Sequence, residues 1–164
     1  MFCEGESEEA YVKFLRSKYR LPIEICPSVA GLSISKEHIN HFKKDKSTHP
    51  KDKDFLMYDL DRDDVLKRLE MIKGATIISS NPCLEVWYLL HYVDRRAELT
   101  AVQCLALLKR HLPKYKKGVF SVDLQAVLIK NKDIAILRAL ALPARANPSS
   151  DMPLFLKDLE LASR

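Results

Sequence analysis

Glycine is scarce: the chain of 164 residues contains four. A loop that cradles phosphates in its backbone N–H groups needs several glycines close together, and no such stretch exists, which argues against intrinsic ATP hydrolysis. The four cysteines, Cys3, Cys26, Cys83 and Cys104, are scattered, with no C-x-x-C pair and no histidine at zinc-site spacing. They read as reduced thiols in or near the core. Long apolar runs are missing too. The longest reach four or five residues, far below a membrane span. No signal-peptide pattern is visible, so the expected location is cytoplasmic, with no membrane partner. Neither a helix-turn-helix nor a zinc finger stands out, so base-specific reading of nucleic acid is not expected.

What is present is an ordinary globular composition, 47% apolar, in a chain long enough for one full hydrophobic core. Lys and Arg outnumber Asp and Glu by 27 to 22, a formal net charge of +5. That excess favours an anionic partner, and nucleic acid is the obvious candidate. Two segments concentrate it. Lys43, Lys44, Lys46, Lys51 and Lys53 crowd one, and Arg110, Lys114, Lys116 and Lys117 the other. Each is a candidate for phosphate-backbone contact or simply a solvated loop.

The pattern along the chain predicts alternating elements. Phe2-Cys3 reads as a strand end, and a helix follows from Ser7 as N-cap, with Glu8 and Glu9 in its first turn. Residues 21–29 read as a strand or extended edge, and 34–44 as a second helix. Phe55 to Tyr58 reads as a short buried strand, 65–73 as a helix and 75–79 as a further strand. Asn81 as cap with Pro82 at the first helical position then opens a helix through Tyr92. Residues 1–92 therefore alternate strand and helix, the signature of a mostly parallel sheet covered on both faces. Residues 93–164 turn helical and read as an extension of that α/β core within a single domain, with Asn147 to Asp151 a turn capping the last helix.

In such sheets ligands bind beyond the carboxyl ends of the strands. Glu4 follows the first strand. Asp59, Asp61 and Asp63 follow Phe55–Tyr58 at a spacing of two, which in extended backbone points carboxylates the same way. Like charges gathered there repel unless a cation compensates, and carboxylates are hard ligands suited to Mg²⁺ or Mn²⁺. A metal so held polarises a phosphoryl oxygen and activates a water, which is phosphodiester chemistry. The bland alternative is a solvated loop and a helix N-terminus. Glu85 lies one helical turn beyond Asn81 on the same face, either a further carboxylate of the cleft or a surface residue. His91 lies further along that helix, either a hydrogen-bonded core histidine or a substrate-facing one. A receiver-type phosphoacceptor domain shares the acidic strand ends, but no clear lysine-bearing later strand supports it.

Four segments, CEGESEEAYVKFL from Cys3, FLMYDLDRDD from Phe55, SNPCLEVWYLLHY from Ser80 and NPSSD from Asn147, resemble the RloB family. The third is the most specific. That family is similar to the wider Toprim group of topoisomerases, primases and nucleases. The resemblance implies a Toprim-like (Rossmann-like) α/β fold. Its Glu is matched by Glu4, and its Asp-x-Asp pair by Asp59 and Asp61 or by Asp61 and Asp63. It further implies that Glu4 serves as general acid–base while the aspartates hold Mg²⁺ (or Mn²⁺); Glu85 and His91 are further candidate catalytic residues by their place on the helix after Pro82 alone. The expected function is then a Mg²⁺-dependent nuclease in defence against phage or foreign DNA. The alternatives are a catalytically inactive nucleic-acid- or partner-binding component of a defence system, or phosphoryl transfer on a small phosphoester.

Overall fold

The computed structural model describes residues 1–26 and 31–163, with Leu32 and Asp63 described through their backbone alone. Among these residues the sheet has four strands: β1 (Phe2–Cys3), β2 (Asp54–Asp59), β3 (Ala75–Asn81) and β4 (Ser149–Ser150), in the order β1-β2-β3-β4. β1 lies parallel to β2 with Cys3 opposite Met57, and β2 lies parallel to β3 with Asp59 opposite Ser80. β4 runs antiparallel to β3, Ser150 opposite Ser80.

Eight α-helices are described: α1 (Glu6–Tyr19), α2 (Lys36–Lys43), α3 (Asp63–Glu70), α4 (Glu85–Leu90), α5 (Ala101–His111), α6 (Val122–Lys130), α7 (Lys132–Leu140) and α8 (Met152–Ala162). Four of the starts have a visible local cause. Ser35 and Ser121 accept from backbone N–H groups three residues on, and Thr100 forms a full capping box with Gln103. In α1 three glutamates occupy the first turn, and Glu8, Tyr11, Val12 and Leu15 form the buried stripe, spaced as one helical face requires.

The sheet separates two apolar clusters. Strand alternation sends Leu56 and Tyr58 to the smaller cluster, with Ile39, Val65 and Leu69 from α2 and α3. It sends Met57 to the larger, with Tyr11, Trp87, Cys104, Leu128, Ala135 and Phe155. Helices thus cover both faces, and the fold is the expected Toprim-like, mostly parallel α/β sheet with a helical C-terminal extension. The larger cluster joins residues from Met1 to Leu159, so the extension shares the core's interior. All four cysteines are buried.

Four local expectations are corrected. Residues 21–26 form no strand, and 27–29 of that expected element lie outside the described residues. The fourth strand comes instead from Ser149–Ser150, where a turn was expected: the Asp151 backbone N–H donates to Ser79 O (2.8 Å), and its carboxylate accepts from Ser79 N (3.0 Å) and Oγ. Asp151 therefore braces β3 and makes no side-chain cap to α8. Asn81 is not a cap. It stays in β3 opposite Ser149, and α4 begins at Glu85. Ser7 lies inside α1, where its Oγ accepts from Gly118 N at 3.1 Å, and Gly5 takes the N-cap position.

Candidate functional site

The carboxyl ends of β1 and β2 are tied together by the acidic residues themselves. Glu4 N donates to Met57 O (3.0 Å), extending the β1–β2 pairing by one step. The Glu4 side chain then turns back, its Oε2 accepting from Asp59 N at 2.8 Å. Asp59 closes β2 on the same face as Met57, and its Oδ1 accepts from Leu84 N at 2.8 Å, immediately before α4. Strand end, strand end and helix start are therefore joined through two carboxylates.

Two more carboxylates close the cluster. Glu85, the first residue of α4, is only 1% exposed; its Oε1 accepts from the Tyr115 hydroxyl at 2.8 Å and faces Lys117 Nζ at 3.7 Å. Glu8 belongs to the buried stripe of α1. Gly5 leaves it room: a Cβ there would meet Glu8 Oε2 at 3.0 Å.

Three of these carboxylates, Glu4, Glu8 and Asp59, hold their protons more tightly in this poorly hydrated space. Burial, then Glu8, Glu4 and Glu85, push Asp59 up to about 9. Burial, with Glu85 and Glu4, pushes Glu8 up to about 7. Glu4 is raised by burial and by Asp61, against the Asp59 N–H, Lys117 and Arg62, which lower it. Burial pulls Lys117 down, but Glu85, Cys83, Asp59 and Glu8 outweigh it and leave the ammonium raised.

The other residues singled out in the sequence lie differently. Asp61 is exposed in the bend that follows β2, because extended backbone ends at Asp59 and the same-face spacing ends with it. Asp63 opens α3, and its side chain lies outside the described residues. His91 follows α4, about 9 Å along the helix from Glu85 at ordinary helical rise. It is buried, its Nδ1 pairs with Trp87 O at 2.8 Å, and burial lowers its imidazole to about 4. Its electrostatic neighbours are Arg138 and Lys18, not the carboxylates.

Sequence reasoning missed two members of the site and misplaced a third. Glu8 was read as a first-turn helix acid, although its i, i+3, i+4, i+7 spacing to Tyr11, Val12 and Leu15 already placed it on the inward stripe. Tyr115 carried no local signal. Lys117 was grouped with the outward basic segment, whereas it turns toward Glu85.

The oxygen donors suit a hard divalent cation, but their arrangement does not. Among the described residues no group of three or more His, Cys, Asp or Glu side chains stands where it could hold a metal ion. Oxygens of Glu4, Asp59 and Glu85 are engaged by Asp59 N–H, Leu84 N–H and the Tyr115 hydroxyl.

A mostly parallel sheet with a Glu at the end of one strand, an Asp at the end of the next and helices on both faces defines an α/β protein of the Toprim-like class. Within that class the chain belongs to the RloB-like family, whose model, described as RloB-like protein, matches residues 1–159. No curated protein and no solved structure matches it. No helix among the described residues is long and apolar enough to cross a membrane.

Proposed function

We propose that this chain is a nucleic-acid-binding component of a defence system, in which the acidic site serves as a structural junction and holds no resident metal. The observation that carries this reading is how charge is used on the two sides of the site. The carboxylates are bound up internally, and at neutral pH Asp59 retains its proton. The basic segment beside them stays open: Arg110, Lys114 and Lys116 are exposed, and none makes an ion pair among the described residues. In the other segment Lys43, Lys46 and Lys53 are already paired with Asp54, Glu24 and Asp158. Phosphate contacts through such cations bring affinity without base specificity.

The test is fluorescence anisotropy on labelled single-stranded DNA, double-stranded DNA and RNA across a salt series. Replacing Arg110, Lys114 and Lys116 together by Gln should weaken binding uniformly and flatten the slope of log K against log salt by about 2 to 3. Absence of binding to all three, with capture of a protein partner instead, would move the reading to the partner-binding form.

A second reading, Mg²⁺- or Mn²⁺-dependent phosphodiester cleavage, is favoured by one observation: Glu4, Glu8, Asp59 and Glu85 act on one another at the strand ends where this fold class binds ligands. Metal-dependent cleavage abolished by both Glu4→Gln and Asp59→Asn would install it in place of the first.

A further inference from the structure

The acidic cluster lacks a metal-holding arrangement among the described residues, yet it is not left without a cation. Lys117 acts on all four carboxylates: it lowers Glu4, Glu8 and Asp59, and its Nζ faces Glu85 at 3.7 Å. It reaches them from the segment between α5 and α6, remote in sequence from both strand ends. That segment is fastened down on either side of the lysine. The Tyr115 hydroxyl donates to Glu85 Oε1 at 2.8 Å, and Gly118 N donates to Ser7 Oγ at 3.1 Å. Gly118 has φ 74°, a left-handed conformation natural to glycine, and a Cβ there would meet Glu6 Oε2 at 3.0 Å and Glu6 Cβ at 3.2 Å. The close approach to α1 that sets Lys117 over the cluster therefore depends on the missing side chain.

We propose that the Lys117 ammonium is the built-in counter-ion of the Glu4–Glu8–Asp59–Glu85 cluster and that it excludes a divalent cation from that site. The inference rests on the metal-free reading above and gives its cause. A divalent ion entering the cluster would meet a fixed positive charge beside Glu85. The ammonium would have to swing into solvent before the carboxylates could close on the ion. Its side chain is 57% exposed, so such a path exists and a neutral replacement leaves little buried volume empty.

The experiment is Mn²⁺ binding followed by the loss of the free-ion electron paramagnetic resonance signal. It compares the parent protein with Lys117→Met, Lys117→Gln and Lys117→Arg, each confirmed folded by circular dichroism. The expected result is weak binding by the parent and by Lys117→Arg, with both neutral variants tighter by about tenfold. Weak binding by all four proteins would overturn the role of Lys117 and leave the metal-free reading standing. Tight binding by the parent would overturn the metal-free reading itself, and the inference with it. Tighter binding by Lys117→Arg, matching the neutral variants, would show that shape and not charge excludes the ion, and would equally sink the proposal.

Discussion

Asp59 and Asp61 are separated by one residue and belong to different regions of the molecule. Asp59 ends β2, faces the larger core, receives the Leu84 N–H and sits among Glu4, Glu8 and Glu85. Asp61 stands in the bend beyond, exposed to solvent. The difference is one of backbone: side chains two apart share a face only while the strand lasts, and β2 lasts to Asp59. An acidic run in sequence therefore divides into a structural carboxylate at the strand end and solvated ones in the turn.

The largest expected effect is on how stability varies with pH. An Asp carboxyl ordinarily ionises at 3.8, and folding pushes that of Asp59 up to about 9, because burial and its acidic neighbours oppose its charge. Between those values the unfolded chain has released the proton and the folded chain keeps it. Folding therefore takes up a proton, and stability falls as pH rises through that window. The contribution is fully present below 3.8 and lost above about 9. Asparagine cannot ionise, yet it offers the same oxygen to Leu84 N–H. Urea unfolding at pH 5, 7 and 9 should show Asp59→Asn gaining on the parent as pH rises, by up to about 1.4 kcal/mol per pH unit. Asp61→Asn, exposed in the bend and reaching the cluster only through Glu4, should change far less than Asp59→Asn. A constant offset for Asp59→Asn would place its carboxylate in water and erase the contrast.

Truncation gives the next effect. At about pH 4, where the proton linkage is nearly absent, Asp59→Ala leaves the Leu84 N–H without its acceptor and should cost about 1 to 3 kcal/mol in denaturant unfolding. Asp61→Ala should stay within about 0.5 kcal/mol. Equal losses at both positions would mean that the turn is as much a part of the junction as the strand end.

The same division explains what the sequence could reveal. Strand–helix alternation was legible because β2, β3 and helices such as α5 and α8 carry strong local patterns, and α5 to α8 all lie in residues 93–164, which read as helical. Glu4 at a strand end was legible for the same reason. What escaped depends on long-range contact. Ser149–Ser150 is a strand only because β3 offers an edge to pair with, and residues 21–26 are not one although they alternate. Asn81-Pro82 looked like a helix start, yet pairing with Ser149 keeps Asn81 in β3. Tyr115 and Lys117 lie about 30 residues beyond Glu85, and nothing local to either announces that they meet it.

The smallest effect tests the exposed side of the comparison. Arg62 Nε and Asp64 Oδ1 pair at 3.1 Å in that turn, both about half exposed. Asp64 also lies in the first turn of α3, where a negative charge is favoured by the helix dipole. Neither feature makes a strong interaction, because water screens the pair and holding two mobile side chains together costs entropy. A double-mutant cycle with Arg62→Ala and Asp64→Ala should return a coupling of about 0.2 to 1 kcal/mol that shrinks as salt is added. A coupling above about 2 kcal/mol that salt leaves unchanged would show a desolvated pair. The turn would then be a built part of the site, and the distinction between Asp59 and the residues after it would have to be drawn further along the chain.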